Sequence, residues 1–307
     1  MKFKIVFVLA ALIVVSCGKL GDKASSALDA VSDMGSGGAN SVIAYNNAMV
    51  DYMNDAGDKI TKASDDYEKM SKMVTQKRKP TLFLGHAFIG RVPDINKERD
   101  DIFLLNPGNN LPSEIKEELT NSVKATGEAF ANTHEAYKKF KDYYDNEDFK
   151  DDDWAKGGEY LEIIKTNITA FYEKRSEAYK ILRPISDQAE IELLKDHPLK
   201  ESIIASKTDL AIAEEIVDIV YAEEVDIDAL NAKYDELEAN HAKNKGLTPE
   251  LLEEQNKATY YKNFYDEIEE YLGEVRKSKR DGKITDREAE SIGRDFKSLI
   301  NYYNRFV

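Results

Sequence analysis

The sequence predicts an all-α fold: a bundle of long, mostly antiparallel helices with one long irregular segment at about 80–112. Three observations carry this. Apolar residues recur at steps of three and four over long windows, the spacing that gathers one face of an α-helix. No stretch alternates with period two strongly enough to compete as a strand. At 42% hydrophobic and 10% aromatic, the 307-residue chain has enough apolar surface for a core and is not disordered. It has a single cysteine, so no intramolecular disulfide forms and stability must come from packing.

The chain opens MKFKIVFVLAALIVVSCGKL. Lys2 and Lys4 form a basic start, and Ile5 to Val15 form an apolar run too short to span a bilayer, which takes roughly 20 residues. Val14-Val15-Ser16-Cys17 fits a lipobox. Residues 1–16 are therefore expected to be a lipoprotein signal peptide, with Cys17 the site of lipid attachment. Acyl chains hold such a protein at a membrane because each buried CH₂ contributes about 0.8 kcal/mol. Gly18 follows the cysteine and favours an outer-membrane address, on the periplasmic face or the cell surface. Residues 17–40 are rich in Gly, Ser and Ala and read as a lipidated flexible tether. Residues 41–307 are expected to form a single helical-bundle domain.

Of 43 Lys plus Arg, two lie in the leader, so the processed chain carries −17 against 58 Asp plus Glu, compared with −15 for the whole sequence. Nucleic acid is excluded as a partner, because affinity there rests on neutralising phosphates.

Val42, Tyr45, Met49, Tyr52, Ala56, Ile60, Ala63, Tyr67, Met70 and Val74 predict one helix of about 35 residues. Lys77, Arg78 and Lys79 follow, then Pro80, which stops it. Residues 80–112 mix Pro and Gly breaks with apolar pieces at 82–84, 87–89 and 102–105. They are expected to pack along the bundle, with a short helix at 94–101, and to be the place for a binding feature.

The next stripe runs Ile115, Leu119, Val123, Phe130, Tyr137, Phe140, Tyr144, until the acidic run 145–153 breaks it. Trp154, Leu161, Ile164, Ile168, Phe171, Ala178 and Leu182 form another, and Pro184 is expected to open a separate short helix ending before Pro198. Residues 199–221 are apolar on more than one face and predict a central helix. A shorter helix carries Leu230, Tyr234 and Leu237. Thr248-Pro249 predicts the start of a helix running unbroken from Leu251 through Val275. Thr285 with Glu288 predicts a capping box at the head of the last helix.

The motifs that carry chemistry are sparse. Lys277–Glu288 resembles half an EF-hand, but lysines stand where calcium needs oxygens. The run 145–153 reads as a solvated connection whose last aspartates cap the next helix, or as a weak calcium binder. His86, His134, His197 and His241 are scattered. Neither a G-x-S-x-G elbow nor a Gly-rich phosphate loop is present, so no cofactor, metal or catalytic residue is expected. Arg175 falls on an apolar stripe, where it pairs with an inward carboxylate or meets an anionic ligand. The 17 tyrosines, Tyr261 and Tyr303 among them, line a groove for sugar or peptide or sit at the edge of a helical core.

The segment Tyr45-Asn46-Asn47-Ala48-Met49-Val50-Asp51-Tyr52-Met53-Asn54 resembles the start of the YiiG-like bacterial lipoproteins, and Leu299-Ile300-Asn301-Tyr302-Tyr303-Asn304 is similar to that family's closing helix. Asn301 departs from the family pattern, which has Tyr there. The resemblance implies a helical envelope lipoprotein of unknown function with no catalytic residue to carry over. On the residues alone, Asn46, Asn54 and Asn304 flank the stripes and would bond between the first and last helices if these adjoin.

The expected activity is a non-catalytic binding or scaffolding role toward a protein, peptide or glycan, exercised at the membrane to which the acyl chains attach. The rivals are an envelope hydrolase acting on glycan or peptide, and a surface adhesin.

Overall fold

The computed structural model describes residues 22–78, 92–108, 111–222, 224–247, 249–280 and 282–307, with side chains from 35 onward. The leader and Cys17, the apolar pieces 82–84 and 87–89, His86, Thr248 and Asp281 lie outside the described residues. Nine helices and no strand occur among those described: α1 Asp22–Gln76, α2 Ser113–Asp145, α3 Phe149–Asp152, α4 Ala155–Leu193, α5 Lys200–Tyr221, α6 Ile227–Asn244, α7 Pro249–Glu254, α8 Ala258–Ser278 and α9 Asp286–Phe306. None of these is long and apolar enough to cross a membrane.

The described residues fall into two compact units, one running to Glu190 and the other from Ile191 to Val307, with the division inside the last turn of α4.

In the first unit α1, α2 and α4 pack through the stripes read from the sequence. Val42, Tyr45, Met49, Tyr52, Ala56, Ile60, Ala63 and Met70 are buried on α1, as are Leu161, Ile164, Ile168, Phe171, Ala178 and Leu182 on α4. Helix α1 begins at Asp22, within the stretch read as tether, and its one non-helical residue is Gly35, at φ 64°. Lys77 ends it in the left-handed region (φ 48°), where its N–H meets the Val74 carbonyl and that of Arg78 the Met73 carbonyl. That pair of bonds is a Schellman ending. Helix α2 ends the same way at Glu147, φ 62°.

The acidic run is ordered by aromatic packing. Phe149 and Trp154 stack with ring centroids 4.2 Å apart, and the edge of Tyr143 meets both. The Asp152 carboxylate accepts from the Tyr143 hydroxyl and from the Lys156 N–H at the head of α4.

Two expectations are corrected here. Helix α4 continues through Pro184 instead of restarting there. Proline removes one backbone donor and crowds the carbonyl four residues earlier, but Leu182, Ile185 and Ala189 on either side are fully buried, and that packing outweighs the local loss. The expected helix at 94–101 is absent. Asp94 opens an Asx turn by accepting from the Asn96 N–H, and Asp100 and Asp101 both take positive φ, 50° and 63°. They close a two-residue turn in which Arg99 and Ile102 exchange backbone bonds of 2.8 and 3.0 Å. Aspartate tolerates this left-handed geometry, and the primed turn then excludes a helix.

In the second unit α5 is central: Leu210, Ala211, Ile212, Ala213, Ile216 and Val217 are all buried, spanning more than one face. Helices α6 and α9 pack on it, and α8 packs on α6 and α9. Helix α6 is capped by Asp226, which accepts from the Ala229 N–H, and α9 by the Thr285–Glu288 box. The helix expected to run unbroken from 249 is divided. Asn256 sits at φ 55°, with Lys257 N–H on the Leu252 carbonyl and Asn256 N–H on that of Glu253. This is another Schellman ending, and asparagine enters the left-handed region readily.

Candidate functional site

Two buried polar centres stand out, one in each unit. The first lies on facing surfaces of α1 and α4. Asn54, Gly57 and Thr61 follow one another by single turns along α1, and Tyr172, Arg175 and Tyr179 do so along α4. Arg175 is only 6% exposed. Its Nη2 donates to Asn54 Oδ1 at 3.2 Å, its guanidinium carbon lies 5.6 Å from the Tyr179 ring centroid, and the Tyr172 and Thr61 hydroxyls are 3.4 Å apart. A Cβ on Gly57 would come within 2.8 Å of Arg175 Nη1, so α1 carries glycine where the guanidinium must pass. Arg175 Nε and the Tyr179 hydroxyl are buried without a hydrogen-bond partner among the described residues. Burial raises the pKa of Tyr179, and Arg175 acts against it through its charge and through a long hydrogen-bond contact with the hydroxyl. The sequence foresaw Arg175 and Asn54 separately; the structure brings them together, and the partner of the cation is an amide, not an inward carboxylate.

The second centre surrounds Asp209 on α5, which is fully buried. Its Oδ2 accepts from Asn244 Nδ2 at 3.0 Å and from the Tyr265 hydroxyl at 2.8 Å, while Oδ1 has no partner among the described residues. Burial raises the Asp209 pKa, and its hydrogen-bond donors and His241 oppose the rise. Tyr261 donates to the Asn244 carbonyl at 2.5 Å, and His241 Nε2 lies 3.0 Å from the Tyr265 carbonyl. Burial pushes the Tyr261 hydroxyl up to about 12. Of this group the sequence points to Tyr261 and Tyr265 as groove or core-edge tyrosines and to His241 among the scattered histidines, and not to Asp209 or Asn244. The overlooked signal was a carboxylate at position 209 inside a helix apolar on several faces.

Of the other candidates, all but Asn304 lie in the core. Tyr45 is buried and donates to the Leu104 carbonyl at 2.9 Å. Asn46 is buried, Tyr303 packs its ring 5.9 Å from that of Phe264, and Asn304 is exposed. Asn46 and Asn54 belong to α1 in the first unit, Tyr303 and Asn304 to α9 in the second. The segment 92–108 is held on the first unit by Tyr45 and by Arg99 over the Tyr52 ring at 5.2 Å. Ile95 fills the space that Gly127 leaves: a Cβ there would lie 2.5 Å from Ile95 Cδ1.

A model described as a domain of unknown function, DUF6845, matches residues 35–196, more than half of the chain. The chain belongs to the DUF6845 family. Both members of the Arg175–Asn54 pair fall inside the matched region. No curated protein matches this DUF6845 member. Among solved structures it is similar to an alpha helical protein from Bacteroides fragilis, with 19% identity and a TM-score of 0.56, covering 86% of this chain and 98% of that one. It is similar to the same degree, 19% and 0.56, to an uncharacterized DUF3829-like protein from Bacteroides thetaiotaomicron, covering 87% and 98%. At that identity the likeness shows an all-α fold alone.

Proposed function

We propose that this DUF6845 protein is a lipid-anchored component of the bacterial cell envelope whose helical body binds or scaffolds and does not turn over substrate. The anchor reading rests on the lipobox at Cys17 and on the resemblance of the 45–54 and 299–304 segments to YiiG-like lipoproteins. The observation that carries the binding reading is the fate of the tyrosine hydroxyls. Tyr45, Tyr261 and Tyr271 donate to backbone carbonyls, and Tyr137 and Tyr265 to the carboxylates of Asp66 and Asp209. These bonds tie helices and segments of one unit to each other, and an interior fixed in this way presents a rigid surface to a partner.

The test is mass spectrometry of the membrane fraction from the native host. The expected product begins at Cys17 and carries acyl chains, and Cys17→Ser remains unprocessed. A free thiol at residue 17 in membrane-associated wild type overturns the anchor. For the body, the expected result is that purified protein releases no product from envelope glycan or peptide; steady release that Asp209→Asn abolishes would favour a hydrolase.

A further inference from the structure

We infer that the α1–α4 seam around Arg175 is a binding site for a carboxylate, with Arg175 Nε–H and the Tyr179 hydroxyl as donors to it. A guanidinium carries a permanent charge and five N–H donors in a planar fork that matches carboxylate geometry. Removing such a group from water is costly unless an opposite charge compensates it. Here the cation is more than nine-tenths buried and its hydrogen-bond partner is the neutral Asn54 amide.

Nε and the neighbouring Tyr179 hydroxyl, both buried, have no acceptor among the described residues. The hydroxyl oxygen faces the guanidinium at long range and keeps its own O–H to donate, so an anion would take a bond from each group. Helix α1 has glycine at 57, where any side chain would displace the guanidinium, although glycine inside a helix is less favourable than alanine. Asn54, at one end of the seam, is exposed.

Charge sets the class of anion. Asp51, Asp58 and Asp65 lie close enough to act electrostatically on Tyr179 and Tyr172, and none of them pairs with Arg175. The attraction of one cation grows in proportion to an anion's charge while the cost of taking that anion out of water grows faster, and the aspartates oppose each added charge. The seam therefore suits a monoanionic carboxylate over a doubly charged phosphate.

The inference rests on reading the body as a binder, yet its test needs neither the natural ligand nor the membrane. The mature full chain in detergent is titrated with sodium acetate, with acetyl-dialanine and with the C-terminal amide of that dipeptide. Sodium chloride and inorganic phosphate at equal ionic strength are the controls, and thermal unfolding is followed by circular dichroism. Carboxylates are expected to raise the unfolding midpoint saturably beyond chloride and phosphate. Tyr179→Phe, which removes one donor from a half-buried ring, should raise the half-saturating concentration about tenfold, and Arg175→Met should abolish the response. Acetyl-dialanine acting at lower concentration than acetate while its amide is inert would identify a peptide C-terminus as the source; acetate acting as well as the dipeptide would identify a free small acid. A wild type that responds to carboxylate no more than to chloride, a response that survives in both variants, or a stronger response to phosphate would each overturn the site. Failure here would leave the anchor and the binding reading standing, since those are read at Cys17 and in turnover.

Discussion

Asp209 gives the sharpest test of the physical reasoning. Its carboxylate is fully buried on α5, and burial is the largest influence on its pKa, which is raised. The folded protein thus holds the Asp209 proton more tightly than the unfolded chain does. Between the two pKa values the unfolded state has released that proton and the folded state has kept it, so raising the pH favours unfolding. The loss begins above about 3.9, the ordinary unfolded value, and stops once the pH exceeds the folded pKa; within this window it amounts to about 1.4 kcal/mol per pH unit.

Asp209→Asn removes the titration while keeping an oxygen for Tyr265 and Asn244 to donate to. At the acid end the variant should be the less stable, because its new amide N–H groups lack an acceptor at a cost of about 1–3 kcal/mol. Wild type then loses ground with each pH unit, and the variant equals or overtakes it toward neutrality. Urea unfolding of both proteins between about pH 4 and 7, followed by circular dichroism, checks this, because titrating groups that do not interact with Asp209 cancel in the difference. A wild-type-minus-variant difference that stays flat across this range would refute the argument.

Three further outcomes are expected. Tyr45→Phe leaves the buried Leu104 carbonyl without its side-chain donor, which costs about 1–3 kcal/mol; amide hydrogen exchange should quicken across 99–106 more than elsewhere. Glu147→Gly replaces a side chain held at φ 62°. It should stabilise the chain by roughly 0.5–1 kcal/mol, the relief of left-handed strain exceeding glycine's entropic cost; the exposed Lys150 ion pair it removes matters little, and a thermal midpoint that fell would contradict this. Thr285→Ala removes the hydroxyl that accepts from the Glu288 N–H and donates to the Glu288 carboxylate, leaves the backbone N–H of residue 285 on that carboxylate, and should cost about 1 kcal/mol in urea unfolding.

Local patterns carried most of the architecture. The stripes on α1, α2 and α4, the multi-faced burial of α5, and the Thr285 cap depend on spacings of three and four residues that any helix must obey. The misreadings have local causes too. Propensity misplaces Pro184 and the 249–275 run because it is a weak guide when packing decides: burial carries one helix through a proline, while Asn256 breaks another where no glycine stands. The turn at Asp100-Asp101 was misread because aspartate enters the left-handed region less often than glycine and leaves little mark in a pattern of apolar residues.

The sequence by itself determined that this protein is helical and which faces of its helices are apolar, because those properties depend on neighbours along the chain. Only the tertiary structure decided which polar groups meet. Asn54 finds Arg175 across 121 residues, and Asp209 gathers Asn244 and Tyr265 from two other helices. A helix's own period places a side chain on a face, but the partner of that face is chosen by packing against segments far away in the chain, which no local spacing records.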